Sequence, residues 1–256
     1  MSTGNYADVN GIKMYYEIHG AGKPLVLIHG GGSTIQTTFG TILPMLAKRY
    51  KIIAVELQAH GHTSDRDAPE TFQQDANDVA ALLKQLNISK ASFIGFSNGG
   101  STTLQIAIRH PEIVNKIIVI AGAFKRSGFI PGFFDGMEGA TLDNMPEPLK
   151  EAFLKINPDT AALENMFNKD RARMVTFQDW DDNDLRSIMA PALIISGDKD
   201  VTTPEHALEM SNLIPNAELI IMPGIHGACL GEIEAVVPGS KQPKITVQLV
   251  EEFLEK

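Results

Sequence analysis

Seven short apolar runs, separated by segments with helical spacing, constrain the fold of this chain more than any other feature. Most consist of continuous apolar residues, which is typical of strands buried on both faces of a mostly parallel sheet. The sequence therefore predicts an α/β fold with helices on both faces, in which ligands bind beyond the carboxyl ends of the strands. The runs lie at residues 14–18, 25–28, 52–55, 91–94, 116–120, 192–196 and 218–222. The main intervening helices are predicted at residues 39–48, 71–86, 98–109, 204–213 and 245–254.

The alternation stops in one segment, residues 124–187, which shows no clear strand. Residues 148–155 and 161–173 within it have the spacing of short helices. A chain of 256 residues is long enough for one large domain, or for one domain with a small accessory unit. We therefore predict a core of residues 1–123 and 188–256 that carries an inserted helical lid, residues 124–187, called the insertion below.

Composition narrows the classes of function. The formal net charge of −9 gives a surface that repels phosphate backbones and anionic lipids, so we expect neither nucleic acid nor a membrane as partner. The single cysteine, Cys229, excludes an intrachain disulfide and a cysteine-based zinc site. The first ten residues lack the features of a secretory signal, and no apolar stretch is long enough to span a bilayer. These features predict a cytoplasmic protein that acts on a small molecule without metal or cofactor; they leave the oligomeric state open.

The pentapeptide Gly95-Phe96-Ser97-Asn98-Gly99 stands between a predicted strand and a predicted helix. A G-x-S-x-G sequence in this context holds its serine on a sharp turn with the hydroxyl exposed. The flanking glycines let the backbone pass without Cβ clashes. We therefore predict Ser97 to be a nucleophile; the alternative is a serine that merely caps the helix.

A serine nucleophile needs a base, and the base needs an acid to orient it. His226 is the one histidine that directly follows a late strand, which favours it as the base over a role in loop packing. Asp198 and Asp200 follow the strand before it, and the order Ser, Asp, His is the one this kind of fold uses. Sequence spacing alone does not choose between the two aspartates.

Other roles are predicted for four further histidines or the residues beside them. His60 and His62 have a spacing that suggests metal ligands, but no third ligand clusters with them, so we favour a structural loop. His206 lies within a predicted helix and is expected to be solvated. The glycines after His29 can present backbone N–H groups to an oxyanion, although their spacing is not that of a dinucleotide-binding loop.

Together these motifs resemble the α/β-hydrolase superfamily, in its branch of small lid-bearing esterases and peroxidase-like enzymes. The resemblance covers essentially the whole chain. It rests on Leu-Ile-His-Gly-Gly-Gly ending at Gly32, Ala-His-Gly-His-Thr-Ser ending at Ser64, the Ser97 pentapeptide, Ile-Ser-Gly-Asp-Lys-Asp ending at Asp200, and Pro-Gly-Ile-His ending at His226. It implies Asp200 as the acid, and the backbone N–H groups of Gly31 and Asn98 as the donors of the oxyanion hole.

The resemblance also narrows the classes of reaction that this chain is expected to catalyse. Dehalogenase and epoxide-hydrolase relatives carry aspartate where this chain has Ser97. Relatives that hydrolyse carbon–carbon bonds often have tryptophan after the catalytic histidine and a polar residue before the serine, where this chain has Gly227 and Phe96. We therefore predict a serine hydrolase that cleaves an ester or related acyl bond of a small apolar substrate through an acyl-enzyme. The alternatives are a carbon–carbon bond hydrolase, and a slow or non-catalytic ligand receptor or regulatory protein on the same fold.

The insertion is rich in large apolar side chains. It holds seven of the twelve phenylalanines and the only tryptophan, Trp180. One explanation is an apolar roof over Ser97; the other is that a small unit needs large side chains to pack. We predict Phe129, Phe133 and Phe134 to line the pocket.

Overall fold

A computed structural model describes residues 4–256. Residues 1–3, which belong to the predicted core and to the segment without signal features, lie outside the described residues. The described chain forms one eight-stranded sheet in the order β1-β2-β4-β3-β5-β6-β7-β8. Strands β3 to β8 run parallel, whereas β1 and β2 are antiparallel to their neighbours. The strands are β1 Asn5–Val9, β2 Ile12–His19, β3 Lys23–Ile28, β4 Tyr50–Val55, β5 Ala91–Phe96, β6 Val114–Ile120, β7 Ala192–Lys199 and β8 Ala217–Ile225.

All seven predicted runs lie in these strands, and the predicted α/β fold is confirmed. Strand β1 was not predicted. It pairs with β2 across Asn10 and Gly11, whose φ angles of 43° and 87° are those of a tight hairpin turn. The Asn-Gly pair is itself a strong hairpin signal, so this strand was predictable from sequence.

The helices are α1 Ile35–Phe39, α2 Leu43–Leu46, α3 Phe72–Gln85, α4 Asn98–Arg109, α5 Phe133–Gly139, α6 Glu147–Ile156, α7 Thr160–Val175, α8 Asp182–Arg186, α9 Pro204–Leu213 and α10 Gln242–Glu255. One helix predicted over residues 39–48 is instead the pair α1 and α2. Gly40 caps the end of α1. A continuous helix is excluded because Pro44, in the first turn of α2, lacks the N–H that it would need. No helix of the described residues is long and apolar enough to cross a bilayer.

Two apolar clusters cover the two faces of the sheet, which explains why its strands are continuously apolar. In β3, Val26 and Ile28 belong to one cluster, while Leu25 and Leu27 belong to the other. Side chains alternate between the faces of a strand, so both faces need apolar residues. This packing presents the carboxyl ends of β3, β5, β7 and β8 at one edge of the sheet.

A buried contact joins the insertion to α9. It shows that the prediction of a solvated His206 is wrong. His206 is only 2% exposed and is not a solvated residue. Its Nε2 accepts a hydrogen bond from the Phe124 N–H at 3.2 Å, and its ring stacks on that of Phe124. The Trp180 N–H in turn donates to the Phe124 carbonyl at 2.9 Å. The spacing within α9 gives no sign that the insertion covers His206. The domain boundaries at residues 123 and 188 stay a prediction.

Candidate active site

Ser97 occupies a strained turn between β5 and α4. Its φ and ψ angles are 54° and −119°, which a residue with a side chain rarely adopts. The turn is forced by close packing, because a Cβ at Gly95 would lie 2.0 Å from the Gly99 carbonyl oxygen. A Cβ at Gly99 would lie 2.1 Å from the Ile28 carbonyl oxygen. The two glycines are therefore required for β5 and α4 to meet at Ser97.

The structure brings His226 and Asp200 together. His226 Nδ1 lies 2.6 Å from Asp200 Oδ1, which also accepts the Val201 N–H at 2.7 Å. The Asp200 carboxylate is buried. Because a carboxylate accepts the Nδ1 proton, Nε2 of His226 is left free to accept another. Asp198, by contrast, is exposed and accepts the Gly224 N–H at 2.7 Å.

Ser97 and His226 line the same cavity, of about 330 Å³, between the insertion and the edge of the sheet. Among the described residues, no hydrogen bond joins the Ser97 hydroxyl to His226. Such bonds are often loose without substrate and tighten in its complex. The ring of Phe96, the residue where carbon–carbon hydrolases often have a polar one, packs on His226 with the centroids 4.5 Å apart.

The cavity lining is mostly apolar. Phe129 and Phe133 line it as expected, whereas Phe134 is not among the lining residues and packs edge-on against both. The polar side chains of the lining are few and belong to Ser97, Asn98, Ser101, Asn144, Asp170, Arg171 and His226.

His29 holds the loop that contains Gly31. Its Nδ1 lies 2.7 Å from the Gly30 carbonyl oxygen, and its Nε2 accepts the Leu57 N–H at 3.0 Å. The ring is therefore neutral, and burial lowers the pKa of His29 to about 3. In a trans peptide the carbonyl and the N–H point in opposite directions. By fixing the Gly30 carbonyl, His29 turns the Gly31 N–H to the opposite side of that peptide.

Asp170, on α7 of the insertion, reaches the same loop, and sequence reasoning missed it. Its Oδ2 accepts the Gly32 N–H at 2.5 Å and lies 2.9 Å from His60 Nε2. Its Oδ1 accepts a hydrogen bond from Asn98 Nδ2 at 3.2 Å. No local sequence pattern marks Asp170, because its partners lie far away along the chain.

A buried ionic cluster continues from this point. Arg173 contacts Glu70 at 2.5 Å and Asp75 at 2.8 Å, and lies 3.9 Å from Asp170. Burial raises the pKa of Glu70 to about 7 although Arg173 opposes this shift. Burial would also raise the pKa of Asp170, but His60 and Arg173 outweigh it and hold that pKa well below its usual range.

His60 and His62 contact different carboxylates. His62 Nδ1 lies 2.9 Å from Glu56 Oε2, and the His62 ring stacks on Tyr15. His60 contacts Asp170 instead. Within residues 4–256, no three histidine, cysteine, aspartate or glutamate side chains gather as they would around a metal ion.

The sequence comparisons agree with this architecture. Residues 23–167 match the family described as alpha/beta hydrolase fold. The chain belongs to the α/β-hydrolase family.

Relatives of this α/β hydrolase are moderately similar. The 2-hydroxy-6-oxo-6-(2'-aminophenyl)hexa-2,4-dienoic acid hydrolase of Metapseudomonas resinovorans is 30% identical over 121 residues, which make up 46% of this chain and 42% of that relative. Serine hydrolase BPHL of Homo sapiens is 28% identical over 229 residues, 84% of this chain and 77% of that relative. The match with the first thus spans less than half of its length.

A solved structure extends the likeness to the whole fold of the α/β hydrolase. The serine hydrolase involved in carbazole degradation, the CarC enzyme, superposes with a TM-score of 0.81. The superposition covers 100% of this chain and 99% of that one at 22% identity. Similarity at this level concerns the fold and carries no statement about substrate.

Proposed function

We propose that this α/β hydrolase is a serine hydrolase that cleaves an ester or a related acyl bond of a small, largely apolar substrate. One observation carries the proposal: the buried carboxylate of Asp200 contacts His226 at the cavity that Ser97 also lines. This arrangement supplies a nucleophile, a base and an acid that orients the base.

In the proposed reaction, the Ser97 hydroxyl attacks the substrate carbonyl carbon while His226 Nε2 takes the hydroxyl proton. The N–H groups of Gly31 and Asn98 stabilise the negative charge that develops on the carbonyl oxygen. His226 then gives its proton to the departing alcohol, which leaves an acyl group on Ser97. Water, deprotonated by His226, attacks the acyl carbon, and the acid product leaves as Ser97 is reprotonated. Asp200 stays ionised throughout and stabilises the imidazolium.

A fluorophosphonate probe tests this assignment. We expect one covalent adduct on Ser97, located by peptide mass spectrometry. No adduct, or an adduct on another residue, would overturn the proposal. Ester turnover far above one product per protein molecule would in addition separate an enzyme from a slow or non-catalytic receptor.

The cavity predicts how the rate depends on the length of the acyl chain. Each buried methylene contributes about 0.8 kcal/mol, so each added methylene should raise kcat/KM about fourfold until the cavity is full. A cavity of about 330 Å³ holds only a short or medium chain. A series of p-nitrophenyl esters from acetate upward measures this profile. A flat profile from acetate onward would show that the acyl group binds elsewhere.

Carbon–carbon bond hydrolysis is a second candidate, and Arg171 favours it. Arg171 lines the cavity and, among the described residues, has no acidic partner. Its guanidinium donates to the backbone carbonyls of Met137 and Glu138. A substrate carboxylate, such as the one in the dienoic acid named for the Metapseudomonas relative, would meet an opposite charge there. Rates on vinylogous diketones compared with rates on p-nitrophenyl esters separate the two reactions.

A further inference from the structure

His60 and Asp170 form a buried ion pair, as the partners of His60 show. Its Nδ1 lies 2.8 Å from the Gln58 carbonyl oxygen, which only accepts hydrogen bonds. Its Nε2 lies 2.9 Å from Asp170 Oδ2. The Gly32 N–H also lies 3.2 Å from Nε2, but its shorter contact, at 2.5 Å, is with Asp170 Oδ2. Because the carbonyl and the carboxylate nearest the ring can only accept, both ring nitrogens carry a proton, and the ring is a cation. His29, 4.9 Å away between ring centroids, is neutral because its Nε2 accepts an N–H.

The ion pair acts on the peptide that follows Gly31. Asp170 Oδ2 accepts the Gly32 N–H, so it holds the peptide between Gly31 and Gly32. His29 holds the preceding peptide through the Gly30 carbonyl. Glycine has the freest backbone of any residue, and a run of three would otherwise sample many orientations. With both flanking peptides held, the direction of the Gly31 N–H is set.

Asp170 also holds the second side of the same site. Its Oδ1 accepts a hydrogen bond from Asn98 Nδ2, and Asn98 is the residue directly after Ser97. Asp170 belongs to α7, whereas Gly32 follows β3 and Asn98 begins α4. One carboxylate of the insertion thus contacts both segments that carry the proposed oxyanion donors.

We propose that Asp170, held by His60, is a positioning residue that aligns the Gly31 and Asn98 N–H groups for oxyanion stabilisation. The proposal rests on the proposed function. Oxyanion donors act through preorganisation, and a misplacement of about 1 Å costs on the order of 100-fold in rate. The packing of α7 and the assembly of the oxyanion hole are thereby coupled.

The charge of His60 makes the action of the His60–Asp170 ion pair depend on pH. Burial lowers the pKa of His60, but the Asp170 carboxylate outweighs it and raises that pKa to about 9. The other ionisable groups that influence the pair are His29, Glu70, Asp75 and Arg173. As pH rises through about 9, His60 loses its proton and Asp170 loses its cation partner. The rate should therefore fall on this alkaline limb.

The test compares Asp170→Asn with the wild-type chain. Asparagine keeps the shape and one acceptor but removes the charge. We expect kcat on a neutral p-nitrophenyl ester to fall 10- to 100-fold while KM changes less than about threefold, with a matching loss in the rate of fluorophosphonate labelling. The alkaline limb near pH 9 should disappear, because His60 then lacks the carboxylate that raises its pKa. Glu164→Gln, an exposed residue on the same helix, is the matched control and should change neither quantity.

A second variant, His60→Gln, removes the other member of the ion pair, so the proposal does not depend on the result of a single substitution. If the two residues act as a unit, the double variant should lose no more activity than either single variant.

Full kcat in a folded Asp170→Asn variant, or a rise in KM alone, would overturn the positioning role. If Asp170→Asn does not fold, the wild-type profile decides: a rate that stays constant through pH 9 overturns the proposal. A wild-type chain that fails to label at Ser97 overturns the proposed function itself, whereas normal labelling with an unaffected variant overturns only this inference.

Discussion

Asp200→Asn is expected to lower kcat by on the order of 10⁴-fold, with the fold unchanged. The Asp200 carboxylate accepts the Nδ1 proton of His226 at 2.6 Å. An amide in its place can turn its N–H₂ toward Nδ1 and so favour the opposite tautomer, in which Nε2 carries the proton and cannot act as a base. Steady-state kinetics on a neutral ester, with thermal unfolding to check folding, measure the effect.

Asp198→Asn is the matched control for this prediction. Asp198 is two residues away and exposed, and within the described part of the chain it accepts only the Gly224 N–H. Its replacement should leave kcat within about threefold of wild type, since a surface hydrogen bond contributes little. If Asp198→Asn loses far more activity than Asp200→Asn, the acid has been assigned to the wrong aspartate.

Ser97→Ala and Ser97→Gly should both lower kcat by at least about 10⁴-fold, because each removes the proposed nucleophile. Their stabilities should differ. Ser97 has a φ angle of 54°, a conformation that costs a residue with a Cβ about 1 kcal/mol or more and glycine much less. Ser97→Gly should therefore exceed Ser97→Ala in free energy of unfolding by about 1 kcal/mol, as measured by urea denaturation.

Ser92→Ala, at the other end of β5, serves as the control for loss of a serine hydroxyl. It should label with fluorophosphonate and turn over ester as the wild-type chain does. Retention of ester turnover by Ser97→Ala would show that another group is the nucleophile. Equal stability of the alanine and glycine variants would show that the turn at residue 97 stores no strain.

Most of the fold was predictable because strands, helices and tight turns depend on residues that are close together in the chain. Apolar runs, most of them continuous, indicated β2 to β8, and the glycines around Ser97 indicated the strand–turn–helix junction. Two of the differences also had local signals: the Asn10-Gly11 turn before β2, and Gly40 with Pro44 between α1 and α2.

The buried polar contacts lacked such signals. His206 has the same spacing whether its helix faces water or the insertion, and only the packing of Phe124 on its ring decides. In the sequence, Asp170 does not differ from other acidic residues of a helix. Its role depends on the packing of α7 against the loop that contains Gly32. In both cases the deciding partner comes from a distant part of the chain.

The sequence by itself determined the parallel sheet, the turn that carries Ser97, and a short set of candidate partners at the strand ends, since periodicity and glycine placement act locally. Only the tertiary structure decided that His226 contacts Asp200 and not Asp198, a pairing across 26 residues. It also decided that Asp170 contacts Gly32, 138 residues away, and His60, 110 residues away. A hydrogen bond requires atoms about 3 Å apart, and for residues so distant in sequence that proximity is set by how the sheet and the insertion pack.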